Sequence, residues 1–356
     1  MKLPFVSLIL LCACLAVFSA NTKAQESFPQ PDRPHRALEV LRRDAANQAN
    51  PQAKLKLAKF LYNGKRRQSH LEACGLFEEA SVRGSAEATA WLGNCYIFGR
   101  GVEKRDTVRG ASLIQAAAQA DDAAGLMFLG MLYEYGNGVR RNYARAAEHY
   151  SKAASKGYAP AYARLGNLYL RGLGVPENIQ TAFELFNQGA QMGDPLSQLR
   201  LGQLAFNGFV GPRGEFLRRQ PSSPNYEMAL QLFSQAAAQG NRDAAFKAAQ
   251  MHEHQLGGAW DPNKAEAYFK AVAYYKKSAR AGNPDAQLAL GRLSEKRGPL
   301  GPIYSYAWYN LAISQGNEMA GDYLGALRAK MTPDQLRQAE TLLARWKANR
   351  FCYACR

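Results

Sequence analysis

Few side chains in this sequence have types and spacing that could support chemistry. His252-Glu253-His254 is the one histidine cluster, but residues i and i+2 of a helix point about 200° apart, unlike the i, i+4 pair of a helical zinc site. A metal there would need ligands from elsewhere, so the sequence predicts no metal site. Gly-x-Ser-x-Gly and Ser-x-x-Lys motifs are both absent, and acyl transfer therefore lacks an activated serine. We predict no catalytic residue and no cofactor.

Four of the six cysteines lie beyond the N-terminal apolar segment. Cys352 and Cys355 have Cys-x-x-Cys spacing, but a redox role would need a strand–helix context that lowers a thiol pKa, and none is predicted. A terminal disulfide and two unpaired thiols both remain open for this pair. Cys74 and Cys95 fall on successive predicted helices that should touch. We expect them to be within bridging reach, with Cα atoms about 4.4–6.8 Å apart.

Residues 1–24 have the features of an export signal. Lys2 provides a positive charge, residues 6–18 form an apolar run, and small residues permit cleavage after Ala24 or near Ala20. The run is short for a membrane span, which needs roughly 20 apolar residues. An uncleaved anchor and a lipoprotein acylated at Cys14 are the alternatives. We expect a periplasmic or secreted protein without a stable membrane span after cleavage.

The charge balance is strongly basic, with a formal net charge of +16 at pH 7. Such a surface attracts anionic partners. Nucleic acid is not expected among them, because an export signal would keep protein and nucleic acid in separate compartments. Residues 25–36 carry three prolines and little to bury, which predicts an extended tether. Residues 349–356 form a short C-terminal tail after the last predicted helix.

The middle of the chain is an internal repeat of about 36 residues. It shows first as Leu-Gly pairs, each ending in what we call the key glycine: Gly93, Gly130, Gly166 and Gly202. After the first three pairs come Gly-x-Gly-Val turns at residues 99–102, 136–139 and 172–175, and then a second apolar helical stretch. Apolar residues at three- and four-residue steps predict two amphipathic helices per unit. We call the first the A helix and the second the B helix.

Weaker copies extend the array over residues 37–348. Ala58, Ala249 and Gly291 take the place of the key glycine, with an inserted loop at residues 209–224 and a lengthened helix from Pro262 to about Arg280. A lone B-type helix is expected at residues 37–48. A divergent helix pair is expected around residues 331–334, where Thr332 can cap the last helix.

The Leu-Gly pairs, the Gly-x-Gly-Val turns and the closing Ala-Ala-x-x-Gly elements resemble the Sel1-like repeat family, a relative of the tetratricopeptide repeats. The resemblance covers roughly residues 50–325. It implies an all-α, right-handed superhelical solenoid of antiparallel helix hairpins, with A helices on the concave face, and an adaptor function. Some secreted, cysteine-rich members have been described as β-lactamases. This chain lacks both Ser-x-x-Lys and two regular cysteines per repeat, so a hydrolase is the third reading and we predict no enzyme.

Two surfaces are candidates for binding. The first is the concave face that the resemblance implies, where amides can both donate and accept hydrogen bonds. Its residues are Asn94, Met131, Asn167, Gln203, Gln250 and Arg292, one place after the key glycine, and Tyr135 and Arg171, four places further on. The second is a basic rim of loops between A and B helices: Lys65, Arg66, Arg67, Lys104, Arg105, Arg140, Arg141, Arg218 and Arg219.

These surfaces predict an exported bacterial envelope adaptor that binds an extended segment of a protein partner on its concave face. The alternative is a binder of peptidoglycan, another glycan or an envelope polyanion, which would use the basic rim. Because binding to the rim would be screened by salt, ionic strength should separate the two functions.

Overall fold

The structure, a computed structural model, describes residues 33–46, 51–64, 67–217, 224–258 and 265–348. Within these residues there are 17 α-helices, and extended backbone pairs only at one isolated antiparallel bridge, between Val210 and Phe216. The predicted all-α repeat fold is confirmed. Residues 1–24, residues 25–32 of the expected tether, and the tail at 349–356 lie outside the described part.

The helices belong to two compact units, Met1–Asp106 and Thr107–Arg356. Unit 1 contains α1 (Arg33–Ala46), α2 (Pro51–Tyr62), α3 (Arg67–Val82) and α4 (Ala86–Phe98). Its first helix begins at Arg33, so residues 33–36 are helical where the sequence analysis expects an extended tether. Within this unit α1 packs on α2, α2 on α3 and α3 on α4.

Unit 2 continues the alternation of A and B helices. Its helices are α5 (Thr107–Gln119), α6 (Ala123–Tyr135), α7 (Tyr143–Ser155), α8 (Ala159–Arg171), α9 (Ile179–Gln191), α10 (Pro195–Phe206), α11 (Tyr226–Ala238), α12 (Arg242–Glu253), α13 (Ala265–Arg280), α14 (Pro284–Glu295), α15 (Gly301–Ser314), α16 (Met319–Arg328) and α17 (Pro333–Ala348). From α6 to α15, each A helix packs on the B helix that follows it, and that B helix packs on the next A helix. None of the described helices is both long and apolar enough to cross a membrane.

The key glycine is the point where the two helices of a repeat cross. An aromatic ring of the B helix lies against it, so that a Cβ built at Gly166 would come 2.5 Å from Cε1 of Phe186. The same relation joins Gly202 to Phe233 and Gly291 to Tyr309. Because any side chain would displace the ring, glycine lets the helices approach closely enough to bury these aromatics.

The Gly-x-Gly-Val turns end the A helices. Gly136 and Gly172 have φ values of 74° and 60°, in the left-handed region that glycine adopts at little cost, and each donates its N–H to a carbonyl four residues earlier. The second glycine has another role: a Cβ at Gly174 would come 2.3 Å from the backbone nitrogen of Ala144 in α7. The turn therefore lies directly on the preceding B helix.

Short polar side chains cap the A helices at their N-termini. Asp122, Asp194, Asn241 and Asn283 each accept a hydrogen bond from a backbone N–H of the first turn of α6, α10, α12 and α14. Loops of neighbouring repeats also bond one another, since the Asn317 side-chain amide donates to Asp285 at 2.8 Å. The caps therefore fix where each of these A helices begins.

The expected irregularities are present in the described residues. The insertion begins as a short hairpin, in which Val210 is fully buried and the Phe216 ring lies 5.4 Å from that of Phe183. The long helix α13 extends to Arg280. At the end, α16 and α17 flank residues 331–334 and both pack on α15, and Thr332 accepts a hydrogen bond from Gln335 N at 3.2 Å.

Candidate functional site

Equivalent positions on the A helices α8, α10 and α12 hold three amides, Asn167, Gln203 and Gln250. We call them the amide row. All three are half-buried. Since α8 and α10 contact each other directly, Asn167 and Gln203 lie on adjacent helices, and α12 is the next A helix of the same unit. The flanking positions hold Met131, half-buried on α6, and Arg292, exposed on α14.

Three cations accompany the amide row, one helical turn earlier on the same helices: Arg164, Arg200 and Lys247. We call them the cation row. Arg200 Nη1 donates to Gln203 Oε1 at 2.9 Å, and Lys247 Nζ lies 3.4 Å from Gln250 Oε1. These contacts leave both amide groups of the glutamines able to donate. The cation row was not predicted. It has a sequence signal, because a basic residue recurs two places before the key glycine or the alanine that replaces it.

Tyr135 and Arg171, the two further residues expected on this face, have different surroundings. Tyr135 is 52% exposed, and its hydroxyl accepts a hydrogen bond from Arg164 Nη1 at 2.6 Å while the guanidinium lies 5.8 Å from the ring centre. Arg164 also lies 3.6 Å from Glu134, which accepts a hydrogen bond from the Tyr150 hydroxyl. Burial is the main reason that the pKa of Tyr150 is raised. Arg171 is exposed at the end of α8.

Asn94 differs from the other amides. It belongs to unit 1 and is only 8% exposed, whereas the amide row is half-buried. It occupies the equivalent place in its repeat, but burial leaves its side chain unable to meet a ligand on the surface. Asn94 therefore does not belong to the exposed part of this face, and the surface we consider consists of residues of unit 2 alone.

The basic rim is described only in part. Lys65, Arg66, Arg218 and Arg219 lie outside the described residues, and Arg67, Lys104 and Arg140 are exposed. Two members have structural roles: Arg105 Nε donates to the carbonyl oxygen of Ile97 at 2.8 Å, and the Arg141 guanidinium lies 5.5 Å from the centre of the Tyr143 ring. Both of these arginines are nevertheless exposed, as are the other described members of the rim.

The remaining candidate residues are also placed. Cys74 and Cys95 form a disulfide that joins α3 to α4, with their Cα atoms 6.3 Å apart, while Cys352 and Cys355 lie outside the described part. His252 stacks on Tyr274, with ring centres 5.4 Å apart. The described residues contain no group of three or more His, Cys, Asp or Glu side chains that could hold a metal.

Comparison with solved structures agrees with this fold. The chain resembles c5321, a protective antigen of uropathogenic Escherichia coli with an SLR fold, at 27% identity and a TM-score of 0.51, over 85% of this chain and 71% of that one. It also resembles a Sel1 repeat protein from Oxalobacter formigenes at 24% identity and a TM-score of 0.52, over 73% of this chain and 96% of that one.

Sequence comparison finds relatives with the same kind of repeat. Over 87 residues the chain is 32% identical to the ERAD-associated E3 ubiquitin-protein ligase component HRD3B of Arabidopsis thaliana; this stretch is 24% of the chain but only 14% of that protein. Sel1 repeats match residues 86–122, 123–158, 159–194, 195–241, 242–283 and 284–317, well over half of the chain. Proteins built from these repeats typically mediate protein–protein interaction. The chain belongs to the Sel1 repeat family.

Proposed function

We propose that this protein is an exported adaptor that binds an extended segment of a partner protein across the A-helix face of unit 2. One observation carries the proposal: Asn167, Gln203 and Gln250 recur at equivalent, half-buried places on α8, α10 and α12. A row of side-chain amides repeated from helix to helix matches the backbone of an extended chain, which offers donors and acceptors along its length.

The chemistry of the row favours an extended segment over a helix. Backbone groups of a helical ligand already bond one another, so they would leave the amides unpaired. A buried polar group without a partner costs about 1–3 kcal/mol. The row therefore selects for a partner with free backbone groups. A role in binding proteins is also what membership of this family suggests.

Export is supported by two features of the chain. Residues 1–24 have the composition of a signal segment, and Cys74 and Cys95 form a disulfide in unit 1. Disulfides persist in oxidising compartments and are rare in the reducing cytosol. The two together support a periplasmic or secreted location. Detection of the mature chain in a periplasmic or culture fraction, with an N-terminus near residue 25, would test it.

The experiment that tests the binding surface replaces Asn167 and Gln203 together by alanine. Tagged wild-type and variant proteins are used to capture partners from envelope extract, and the captured protein is then titrated. We expect affinity to fall at least about tenfold, or about 1.4 kcal/mol. The matched control is Gln188→Ala with Gln231→Ala, two exposed glutamines on the B helices α9 and α11. Equal binding by both double variants would disprove the surface.

The basic rim is the second candidate surface, because Lys104 and Arg140 are exposed. It would bind peptidoglycan or an envelope polyanion. Replacing Arg140 and Arg141 by glutamate tests it, and binding to the rim should fall steeply with ionic strength. If this variant loses binding to isolated peptidoglycan while the amide variant does not, the rim is the functional surface.

A further inference from the structure

Three arginines gather on the adjacent helices α8 and α10. Arg164 and Arg171 lie on α8, two full turns apart, and Arg200 lies on α10. They are close enough to influence one another, since the charges of Arg164 and Arg171 both act on the ionisation of Arg200. Burial is the largest cause of the lowered pKa of Arg200, and the two neighbouring guanidinium groups act in the same direction. Arg200 is therefore half-buried near two groups of the same charge, and this arrangement opposes folding.

Among the described residues, Arg164 alone of these three arginines has its charge balanced by a direct ion pair. Arg164 lies 3.6 Å from Glu134 and bonds the Tyr135 hydroxyl. Arg200 bonds the neutral side chain of Gln203, and its buried Nε has no hydrogen-bond partner in the described chain. Asp243 offsets part of its charge from a distance but pairs directly with Arg242, at 3.6 Å. An incoming anion would stabilise a half-buried guanidinium that has no direct ion pair.

The positive charge continues onto the next repeat. Lys247 of α12 occupies the place equivalent to Arg200 and likewise bonds the side chain of a glutamine, Gln250. The cation row and the amide row therefore run in parallel over three successive A helices. A ligand that follows the rows would meet alternating cations and amides.

We propose that the partner segment is acidic, with aspartate or glutamate side chains that pair with Arg200 and Lys247 while its backbone bonds the amide row. This inference rests on the proposed function and names the chemistry of its partner. Carboxylates fit because charge-assisted hydrogen bonds from a guanidinium or an ammonium group to a carboxylate are strong. Arg200 and Lys247 are each half-buried, and each bonds the neutral side chain of a glutamine. The amide row favours a peptide over a free anion, because its N–H groups can donate to successive carbonyl oxygens of an extended backbone.

The test uses the full mature chain and synthetic fluorescent peptides that alternate glutamate with serine. A matched peptide carries glutamine in place of every glutamate. We expect the acidic peptide to bind at least about tenfold more tightly than its amide counterpart, and to weaken with salt. Arg200→Gln should reduce that preference about tenfold. Arg328→Gln, which removes the same charge from an exposed place on α16 outside both candidate surfaces, should leave it unchanged.

Each outcome bears on the inference. Equal affinity for the two peptides, or an equal effect of Arg200→Gln and Arg328→Gln, would overturn it. Displacement of the acidic peptide by inorganic phosphate at similar concentration would also overturn it. If Arg200→Gln fails to fold, the affinities of the two peptides for the wild-type protein still decide whether an acidic segment is preferred. Loss of captured partner in the Asn167 and Gln203 double variant, without any preference for the acidic peptide, would leave the binding surface standing and reject only the acidic partner.

Discussion

The ring of Tyr150 lies directly on Gly130: a Cβ built at residue 130 would come 2.7 Å from ring carbon Cδ1. Tyr150 is fully buried, and its hydroxyl reaches Glu134 one turn further along α6. The same ring-on-glycine contact recurs at Gly166, Gly202 and Gly291. At these four positions the glycine is thus a packing requirement between A and B helices.

Gly130→Ala is expected to lower the free energy of unfolding by about 1–3 kcal/mol, because the methyl group overpacks the buried ring. The matched control is Gly325→Ala in α16, where a Cβ meets nothing within 4 Å. That change should raise stability by about 0.5–1 kcal/mol, since alanine is the better helix former. Urea unfolding followed by circular dichroism measures both. Similar effects of the two changes on the free energy of unfolding would show that the contact with the Tyr150 ring does not require glycine at residue 130.

Removal of the Cys74–Cys95 disulfide should destabilise unit 1 by about 3 kcal/mol, because the bridge closes a loop of 21 residues and restricts the unfolded chain. Both cysteines are buried, at 3% and 0% exposure, so reductant should act slowly on the folded protein. Hydrogen exchange of α3 and α4 in a Cys74→Ala, Cys95→Ala variant measures the loss. Cys352→Ser with Cys355→Ser is the control, and unchanged exchange in the first variant would contradict the prediction.

Acidification is expected to destabilise unit 2 through His149 and His252. Burial is the main cause of the lowered pKa of each, and each ring stacks on a tyrosine. The folded state therefore binds fewer protons than the unfolded state. Their contribution to stability is present above the ordinary histidine pKa of 6.5 and is lost as pH falls through that value towards the folded pKa values.

Denaturation curves between about pH 7.5 and about pH 5 should show this loss, as carboxylates titrate mostly at lower pH. A His149→Gln, His252→Gln variant should lose less stability over the same range. If the wild type and this variant respond identically to pH, the buried imidazoles do not cause the dependence.

Asp194→Ala should cost about 1 kcal/mol, because the Asp194 carboxylate caps α10 by accepting a hydrogen bond from Ser197 N at 2.6 Å. Asp194→Asn should be nearly neutral. Asn241 and Asn283 cap α12 and α14 in the same way, and the burial that raises the pKa of Asp194 does not penalise an amide. Thermal unfolding distinguishes the variants. An Asn variant as unstable as the Ala variant would show that the charge is required.

The fold was predictable because its signals are local. The repeat of Leu-Gly pairs and Gly-x-Gly-Val turns marks where helices cross and end, and these features need only a few neighbouring residues. The disulfide partners could be anticipated for a similar reason: Cys74 and Cys95 lie on consecutive helices joined by a short connection, which limits where they can be.

The candidate site was predictable only in outline, since exposure depends on neighbouring helices. Asn94 and Asn167 have the same place in their repeats, yet one is buried and the other half-buried. The sequence predicts that Arg105 and Arg141 are free charges. In the structure Arg105 donates a hydrogen bond to the Ile97 carbonyl, and Arg141 lies over the Tyr143 ring.

The sequence by itself determined the repeat, the helix boundaries at their glycines, and the rows of equivalent residues, because periodicity and turn chemistry act within one unit. Only the tertiary structure decided which members of a row meet solvent and which cations lack a carboxylate. Arg164 and Arg200 have the same type and the same place in their repeats, but Glu134 lies beside the first alone. Such differences arise from contacts between repeats, where the partner of a charge is set by packing and not by distance along the chain.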